Sequence, residues 1–308
     1  MSLAFIFPGQ GSQSVGMLGE LAQAFSVVQE TFAEASNVLG YDLWKTIQEG
    51  PEEKMNPTAV TQPAMLSAGV AVWRVWRENL GAVPDFMAGH SLGEYTALVC
   101  AEALEFAPAV GLVAERGRLM QEAVPAGLGA MAAILGIDDE DVVRVCEESA
   151  QGEVLSAVNF NSPGQVVIAG HRSAVERAVE AAREAGAKRA IVLAVSVPSH
   201  CSLMRGAAEQ LRARLEKITI KAPHVPVINN VDVAMAQEPG AIRDALVRQL
   251  YSPVRWVETI QKLHKEGVSR VVECGPGKVL AGLNKRIERD MSVQAIYDTA
   301  TLNQALAE

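Results

Sequence analysis

The chain has no C-x-x-C pair. Its four cysteines, Cys100, Cys146, Cys201 and Cys274, lie dozens of residues apart, which excludes a zinc knuckle or a disulfide framework and leaves reduced, buried thiols as the expectation. Basic residues are outnumbered, with 27 Lys and Arg against 36 Asp and Glu for a net charge of -9. No long-range pull towards phosphate backbones or anionic lipid follows from that balance, so nucleic acid is not an expected partner. Long hydrophobic runs are missing too. The most apolar stretch, Ala126 to Ile137, is glycine-broken and far below the ~20 residues of a membrane span. The opening Met1-Ser2-Leu3-Ala4 lacks the basic flank of a secretion signal, and the expected location is the cytoplasm. Neither glycine-rich loop fits a nucleotide: Gly9-x-Gly11 has Ser14 where a dinucleotide fingerprint needs its third glycine, and Gly275-Pro276-Gly277-Lys278 lacks Walker spacing. Repeats and low-complexity segments are absent.

What is present is a core. With 49% hydrophobic and 20% charged residues over 308 positions, the chain folds, and its length allows two domains of ~150 residues or one interrupted α/β domain. Leu3 to Phe7 reads as a buried strand broken by Pro8-Gly9-Gln10-Gly11-Ser12. Leu18 to Leu39 and Met65 to Leu80 read as helices, with Phe86 to Ala88 a second short strand. From Gly129 the pattern changes: strand Ala130 to Ile137, helix Asp138 to Ala150, strands Val154 to Phe160 and Gln165 to Ala169, helix Arg172 to Ala187, strand Ala190 to Val197. That β-α-β-β-α-β order is the order of a ferredoxin-like unit. It runs over 128–197 and is followed by more α/β pattern, so it is read as inserted in a larger discontinuous domain, 1–127 plus 198–308. Helices are expected from Leu203 to Lys217, Ala241 to Leu250, Val254 to Lys265 and Lys278 to Ile287, with strands at Val225 to Asn229 and Val268 to Glu273. Strands followed by helices argue a parallel sheet covered on both faces.

Gly89-His90-Ser91-Leu92-Gly93 is a G-x-S-x-G between the strand Phe86 to Ala88 and the helical run Glu94 to Leu104. This is the context of a nucleophile elbow, in which a strained turn exposes Ser91 Oγ and the next backbone N–H faces a developing oxyanion. Five residues with three fixed positions also recur by accident; the strand and helix favour function. Of five histidines, His90 points away from its neighbour in an extended segment. His171, His224 and His264 read as structural or exposed. His200, after the break Pro198-Ser199, re-enters the larger domain at a cleft between the two units, as a base for Ser91 or as a satisfied loop histidine. Cys201 is a weaker nucleophile, since its neighbour's ring cannot readily activate it. In the helix Ala109 to Val124, Val113 and Met120 put Arg116 on an apolar stripe, whereas Arg118 shares a charged face with Glu115 and Glu122. A buried guanidinium must find an anion, either an internal carboxylate or a ligand.

With Phe7-Pro8-Gly9-Gln10-Gly11-Ser12-Gln13, the elbow extended through Glu94-Tyr95, Val113-Ala114-Glu115-Arg116-Gly117, Asn161-x-Pro163-x-Gln165, Pro198-Ser199-His200 and Glu273-x-Gly275-Pro276-Gly277, the chain resembles the malonyl-CoA:acyl carrier protein transacylases over essentially its whole length. The resemblance implies an α/β hydrolase-like domain interrupted by a ferredoxin-like one. It implies Ser91 as nucleophile, His200 as base, the N–H groups of Gln10 and Leu92 as oxyanion hole, and a carbonyl of Gln249 orienting the histidine. Arg116 would grip the malonyl carboxylate and Gln62 would line the pocket. Malonyl-CoA and holo acyl carrier protein are the implied partners, no cofactor or metal is implied, and a monomer is expected. Since carrier proteins are acidic, Lys188-Arg189 and Lys285-Arg286 are candidate docking patches. A serine esterase or thioesterase would share the elbow but would have an acidic triad member and no cation in its acyl pocket. A catalytically silent carrier-binding module would not need both Ser91 and His200.

Overall fold

The computed structural model describes residues 2–195 and 197–307. The first half runs β1 (Ser2–Phe7), α1 (Gly19–Ala24), α2 (Ser26–Leu39), α3 (Leu43–Glu49), α4 (Glu52–Met55), α5 (Thr58–Glu78), β2 (Phe86–Gly89), α6 (Leu92–Cys100) and α7 (Phe106–Glu122). A small unit follows with β3 (Gly129–Leu135), α8 (Asp139–Ala150), β4 (Leu155–Ser162), β5 (Gln165–His171), α9 (Arg172–Glu184) and β6 (Arg189–Val192). The chain ends with α10 (Arg205–Leu215), β7 (Val227–Ile228), α11 (Pro239–Gln249), α12 (Trp256–Lys265), β8 (Val268–Cys274), α13 (Val279–Ile287), β9 (Ser292–Ile296) and α14 (Thr299–Leu306).

Two sheets result. The larger has the order β7-β2-β1-β8-β9 with every pairing parallel. Its central strand β1 is buried on both faces, which is why Leu3 to Phe7 reads as an unbroken apolar run. The smaller is antiparallel with order β4-β5-β3-β6, and α8 and α9 share a core of short aliphatic side chains with it. Where the small unit begins, Gly129 lies against Pro198, so closely that a Cβ there would sit 2.6 Å from the proline ring. The chain therefore leaves and re-enters at one place. Strand β4 also meets the segment before α12 through backbone: Val254 N–H donates to Val158 O at 2.8 Å and Phe160 N–H to Val254 O at 3.1 Å.

Several local expectations are corrected. Leu18 to Leu39 is two helices, because Phe25 turns extended (φ -133, ψ 112) between α1 and α2. The helix expected from Met65 starts at Thr58, with Pro63 in its second turn and buried. Pro63 removes one N–H from the ladder and sets its ring against the carbonyl of the preceding turn. The helical run expected to Leu104 stops at Cys100. The strand Ala190 to Val197 is short, ending at Val192 with exposed Ile191 and Val192, and Ser196 of that expectation lies outside the described residues. The elements α3, α4, β9 and α14 were not anticipated.

Candidate active site

The elbow is sterically forced. Ser91 sits at φ 52, ψ -108, between the end of β2 and the start of α6, a conformation that for a residue with a Cβ stores about 1–3 kcal/mol. A Cβ on Gly89 would lie 1.9 Å from the Gly93 carbonyl carbon, and one on Gly93 would lie 2.0 Å from Phe7 O. Both glycines are thus required for the helix to close onto the strand ends. Asn230, just past β7, ties the turn down: its Oδ1 accepts the Ser91 N–H at 2.7 Å and its Nδ2 donates to Gly89 O at 2.7 Å.

His200 Nε2 lies 2.7 Å from Ser91 Oγ, and Nδ1 lies 2.7 Å from Gln249 O. A carbonyl only accepts, so Nδ1 carries the proton and Nε2 turns its lone pair to the serine hydroxyl. The partner is a backbone carbonyl, not the carboxylate an acidic triad would supply. Burial, and secondarily the Arg116 charge, push the His200 pKa down to about 3, so the ring is neutral. The other histidines go elsewhere. His90 Nε2 pairs with Asn161 Oδ1 at 2.8 Å and its ring stands against Trp256, while His171 Nδ1 accepts the Val154 N–H. His224 meets Glu102 at the surface, and His264 is exposed. Cys201 is buried with its Sγ on Pro198 O, and burial raises its thiol to about 11.

Arg116 projects from α7 and is 1% exposed. One nitrogen, Nη2, donates to Gln249 Oε1 at 2.9 Å and reaches Ser91 Oγ at 3.4 Å. Nε has no acceptor, and the guanidinium lies over the Tyr95 ring. Among the described residues it forms no ion pair. Tyr95 and then Glu94 favour its charge, and burial raises the Glu94 carboxyl to about 7. Burial lowers the Arg116 pKa, but an arginine stays charged, and a buried cation with an unused N–H is a receptor for a carboxylate. Arg118 instead pairs with Glu115 and Glu122 at the surface.

These groups face a cleft of about 1000 Å³ between the two sheets. Gln10 and Leu92 line it, and among the described residues their N–H groups have no acceptor. Gln62 lines it too, with Nε2 on Met120 Sδ at 3.5 Å and Oε1 unpartnered. Sequence reasoning assigned no role to Asn230, Glu94 or Asn161, although Glu94 and Asn161 stand in motifs quoted above. A carboxylate in the run Leu92 to Cys100 was a further readable signal for Glu94; Asn230 had none. Among the described residues no cluster of His, Cys, Asp or Glu has the arrangement of a metal site, and no helix is long and apolar enough to cross a membrane.

Comparison with known proteins agrees with this geometry. Residues 4–305 match the family described as acyl transferase domain. The chain is 59% identical over 305 residues to the malonyl CoA-acyl carrier protein transacylase of Salmonella typhimurium, covering 99% of each, and 58% identical to that of Escherichia coli K12, covering 98% of each. The solved acyl carrier protein S-malonyltransferase of Vibrio cholerae superposes with TM-score 0.97 at 56% identity, over 99% of each chain. A malonyl-transacylase in complex with a type II PKS acyl-carrier protein superposes with TM-score 0.99 at 59% identity, over 100% of this chain and 99% of the other. Together with the mixed α/β architecture these matches place the chain in the acyl transferase family, as a member of the malonyl CoA-acyl carrier protein transacylases.

Proposed function

We propose that the chain moves a malonyl group from coenzyme A to the phosphopantetheine thiol of acyl carrier protein through a malonyl ester on Ser91. The observation that carries this reading is the convergence on one Oγ of a neutral imidazole at 2.7 Å and a buried, anion-free guanidinium at 3.4 Å. The first makes a nucleophile; the second selects an acyl group with a terminal carboxylate.

In the first half-reaction Ser91 Oγ bonds to the thioester carbon as its proton passes to His200 Nε2. The oxyanion sits on the N–H groups of Gln10 and Leu92. The C–S bond then breaks, the coenzyme thiolate takes the proton back from His200, and Ser91 is left acylated. In the second half the carrier thiol gives its proton to His200 and attacks the ester carbon, and Ser91 leaves reprotonated. Because the Arg116 charge is one cause of the low His200 pKa, a carboxylate paired with Arg116 makes the ring a stronger base when substrate is bound.

The same reading divides the chain into a discontinuous catalytic domain, 1–127 and 198–308, and an inserted unit, 128–197. A monomer is part of the same reading, and the net charge of -9 argues against nucleic acid as partner. Four buried free thiols support a reducing compartment, the cytoplasm. The test is intact-protein mass spectrometry after mixing with malonyl-CoA: a malonyl adduct mapping to Ser91 that passes to holo acyl carrier protein is expected. An adduct elsewhere, or none, overturns the reading.

A further inference from the structure

Glu94 is 2% exposed and lies inside α6, three residues past Ser91. Its Oε2 accepts the Asn230 N–H at 2.9 Å and the Gln249 Nε2–H at 2.8 Å. Nothing in the two half-reactions uses a carboxylate here, and burying one is costly unless it holds other groups.

Its two partners are both parts of the site. Asn230 clamps the Ser91 turn. Gln249 stands between groups of opposite hydrogen-bonding character: its Nε2 donates to Glu94 Oε2 and, at 3.0 Å, to Ser91 O, while its Oε1 accepts from Arg116 Nη2 at 2.9 Å. A carboxylate oxygen already taking the Asn230 N–H presents only an acceptor to Gln249, whereas a guanidinium presents only donors. The amide therefore has one orientation in which every contact is favourable. In that orientation its Oε1 is the nearer of the two acceptors of Nη2, at 2.9 Å against 3.4 Å to Ser91 Oγ, with Nε left unpartnered.

We propose that Glu94 is a positioning residue for acyl selectivity: by fixing the Gln249 amide it keeps Oε1 on Arg116 and so aims the guanidinium into the acyl pocket. This rests on the functional reading above and extends it. The carboxylate touches no reacting atom; it acts through Gln249 on Arg116, and through Asn230 on the serine turn. Loss of the second link slows every acyl donor alike, so the first link is read in the preference between donors.

The experiment is the ratio of Ser91 acylation rates by malonyl-CoA and acetyl-CoA in Glu94→Met and Glu94→Gln. Methionine conserves length and volume but removes the acceptor, whereas glutamine keeps an oxygen that can accept from both Asn230 and Gln249. The ratio should fall on the order of tenfold in Glu94→Met, the scale of one hydrogen bond in an arginine-centred network, and recover in Glu94→Gln. Glu94→Asp, which keeps the charge but withdraws the oxygen by one methylene, should also lower it and serves if the methionine variant does not fold. An unchanged ratio in Glu94→Met or Glu94→Asp overturns the proposal, as does a glutamine variant as unselective as the methionine one. Wild-type protein that forms no malonyl adduct would defeat the functional reading; an adduct with an unmoved ratio defeats this inference alone.

Discussion

Asn161 in the small sheet holds His90, the residue before the nucleophile, by an Oδ1 to Nε2 hydrogen bond of 2.8 Å. The bond joins the small antiparallel sheet to the strand end that leads into Ser91, and it lies beside the backbone junction at Val254. Burial lowers the His90 pKa, so the ring is neutral and Asn161 fixes its orientation. We expect Asn161→Ala to leave a buried ring nitrogen unsatisfied, at about 1–3 kcal/mol, and to slow acylation by malonyl-CoA and acetyl-CoA by the same factor. A change in the preference between the two would mean that Asn161 acts on the acyl pocket instead.

Strain at Ser91 can be read as stability. With φ at 52 and ψ at -108, glycine is the residue best able to occupy this turn. Ser91→Gly and Ser91→Ala both lack the hydroxyl and should both lose the malonyl adduct. Ser91→Gly should nevertheless be more stable than Ser91→Ala by about 1–2 kcal/mol, the difference between a residue without and with a Cβ in a left-handed backbone. Denaturant midpoints of the two variants decide it, and equal midpoints would show the turn to be unstrained.

The His200 ring gives a pH signature with a definite sign. Its pKa is about 3 in the fold, lowered by burial and then by Arg116, against about 6.5 in an unfolded chain. Between those values the unfolded state binds more protons, so the stability from this group is complete above about pH 6.5 and is lost as pH falls towards 3. Glu94 has the opposite sign: raised to about 7 by burial, it favours the fold at low pH and ceases to as pH rises through 7. His200→Ala should therefore flatten the acid limb of a melting-temperature profile between pH 6.5 and 4 and leave the limb above pH 7 unchanged. An acid limb as steep as wild type would assign the loss to other groups.

The architecture and the three side chains that meet in the cleft, Ser91, His200 and Arg116, were legible for different reasons than the network behind them. The G-x-S-x-G between a strand and a helix marks a turn whose glycines are dictated by backbone contact. Arg116 stood out because one cation interrupted an apolar stripe. The reading of His200 drew on the break Pro198-Ser199, and Pro198 packs against Gly129 at the start of the small unit. Asn230 carried no comparable signal, since a polar residue after a strand is ordinary until tertiary structure shows what it holds, and the motif that contains Asn161 does not say which ring it holds. The edge strand β9 escaped for a related reason: Ser292 to Ile296 is only half-buried, so its pattern is weak. Phe25 breaks the first helix pair without any Gly or Pro to announce it.

Carrier docking should depend on the last long helix before β9. Arg286 of α13 donates to Gln165 Oε1 at 3.1 Å, and Gln165 and Val279 line the cleft mouth, which places the Lys285-Arg286 pair beside the entrance and favours it over Lys188-Arg189. Reversing both charges to glutamate should slow transfer to an acidic carrier, more at low salt than at high, because such a contact acts mainly through association rate. Acylation by malonyl-CoA followed without carrier provides the control. A carrier-dependent rate equal to wild type at low salt would remove this patch.

Arg116 makes the sharpest demand on the substrate. It is buried, forms no ion pair among the described residues, and has an unused Nε–H; the Tyr95 face and then Glu94 favour its charge. A malonyl carboxylate supplies the missing anion, and truncating one partner of such a desolvated pair costs about 2–5 kcal/mol. Acetyl-CoA has no carboxylate; it leaves the guanidinium unpaired and sets a methyl group beside it, which penalises acetyl in the wild type. Arg116→Ala should therefore collapse malonyl transfer while leaving acetyl transfer unchanged or faster, narrowing or inverting the preference. It should also raise the His200 pKa from about 3, because the Arg116 charge is the second cause of that value. The measurement is the ratio of single-turnover Ser91 acylation rates by the two thioesters across pH in wild type and variant. An equal loss on both would make Arg116 a structural partner of Gln249, with carboxylate recognition located elsewhere in the cleft.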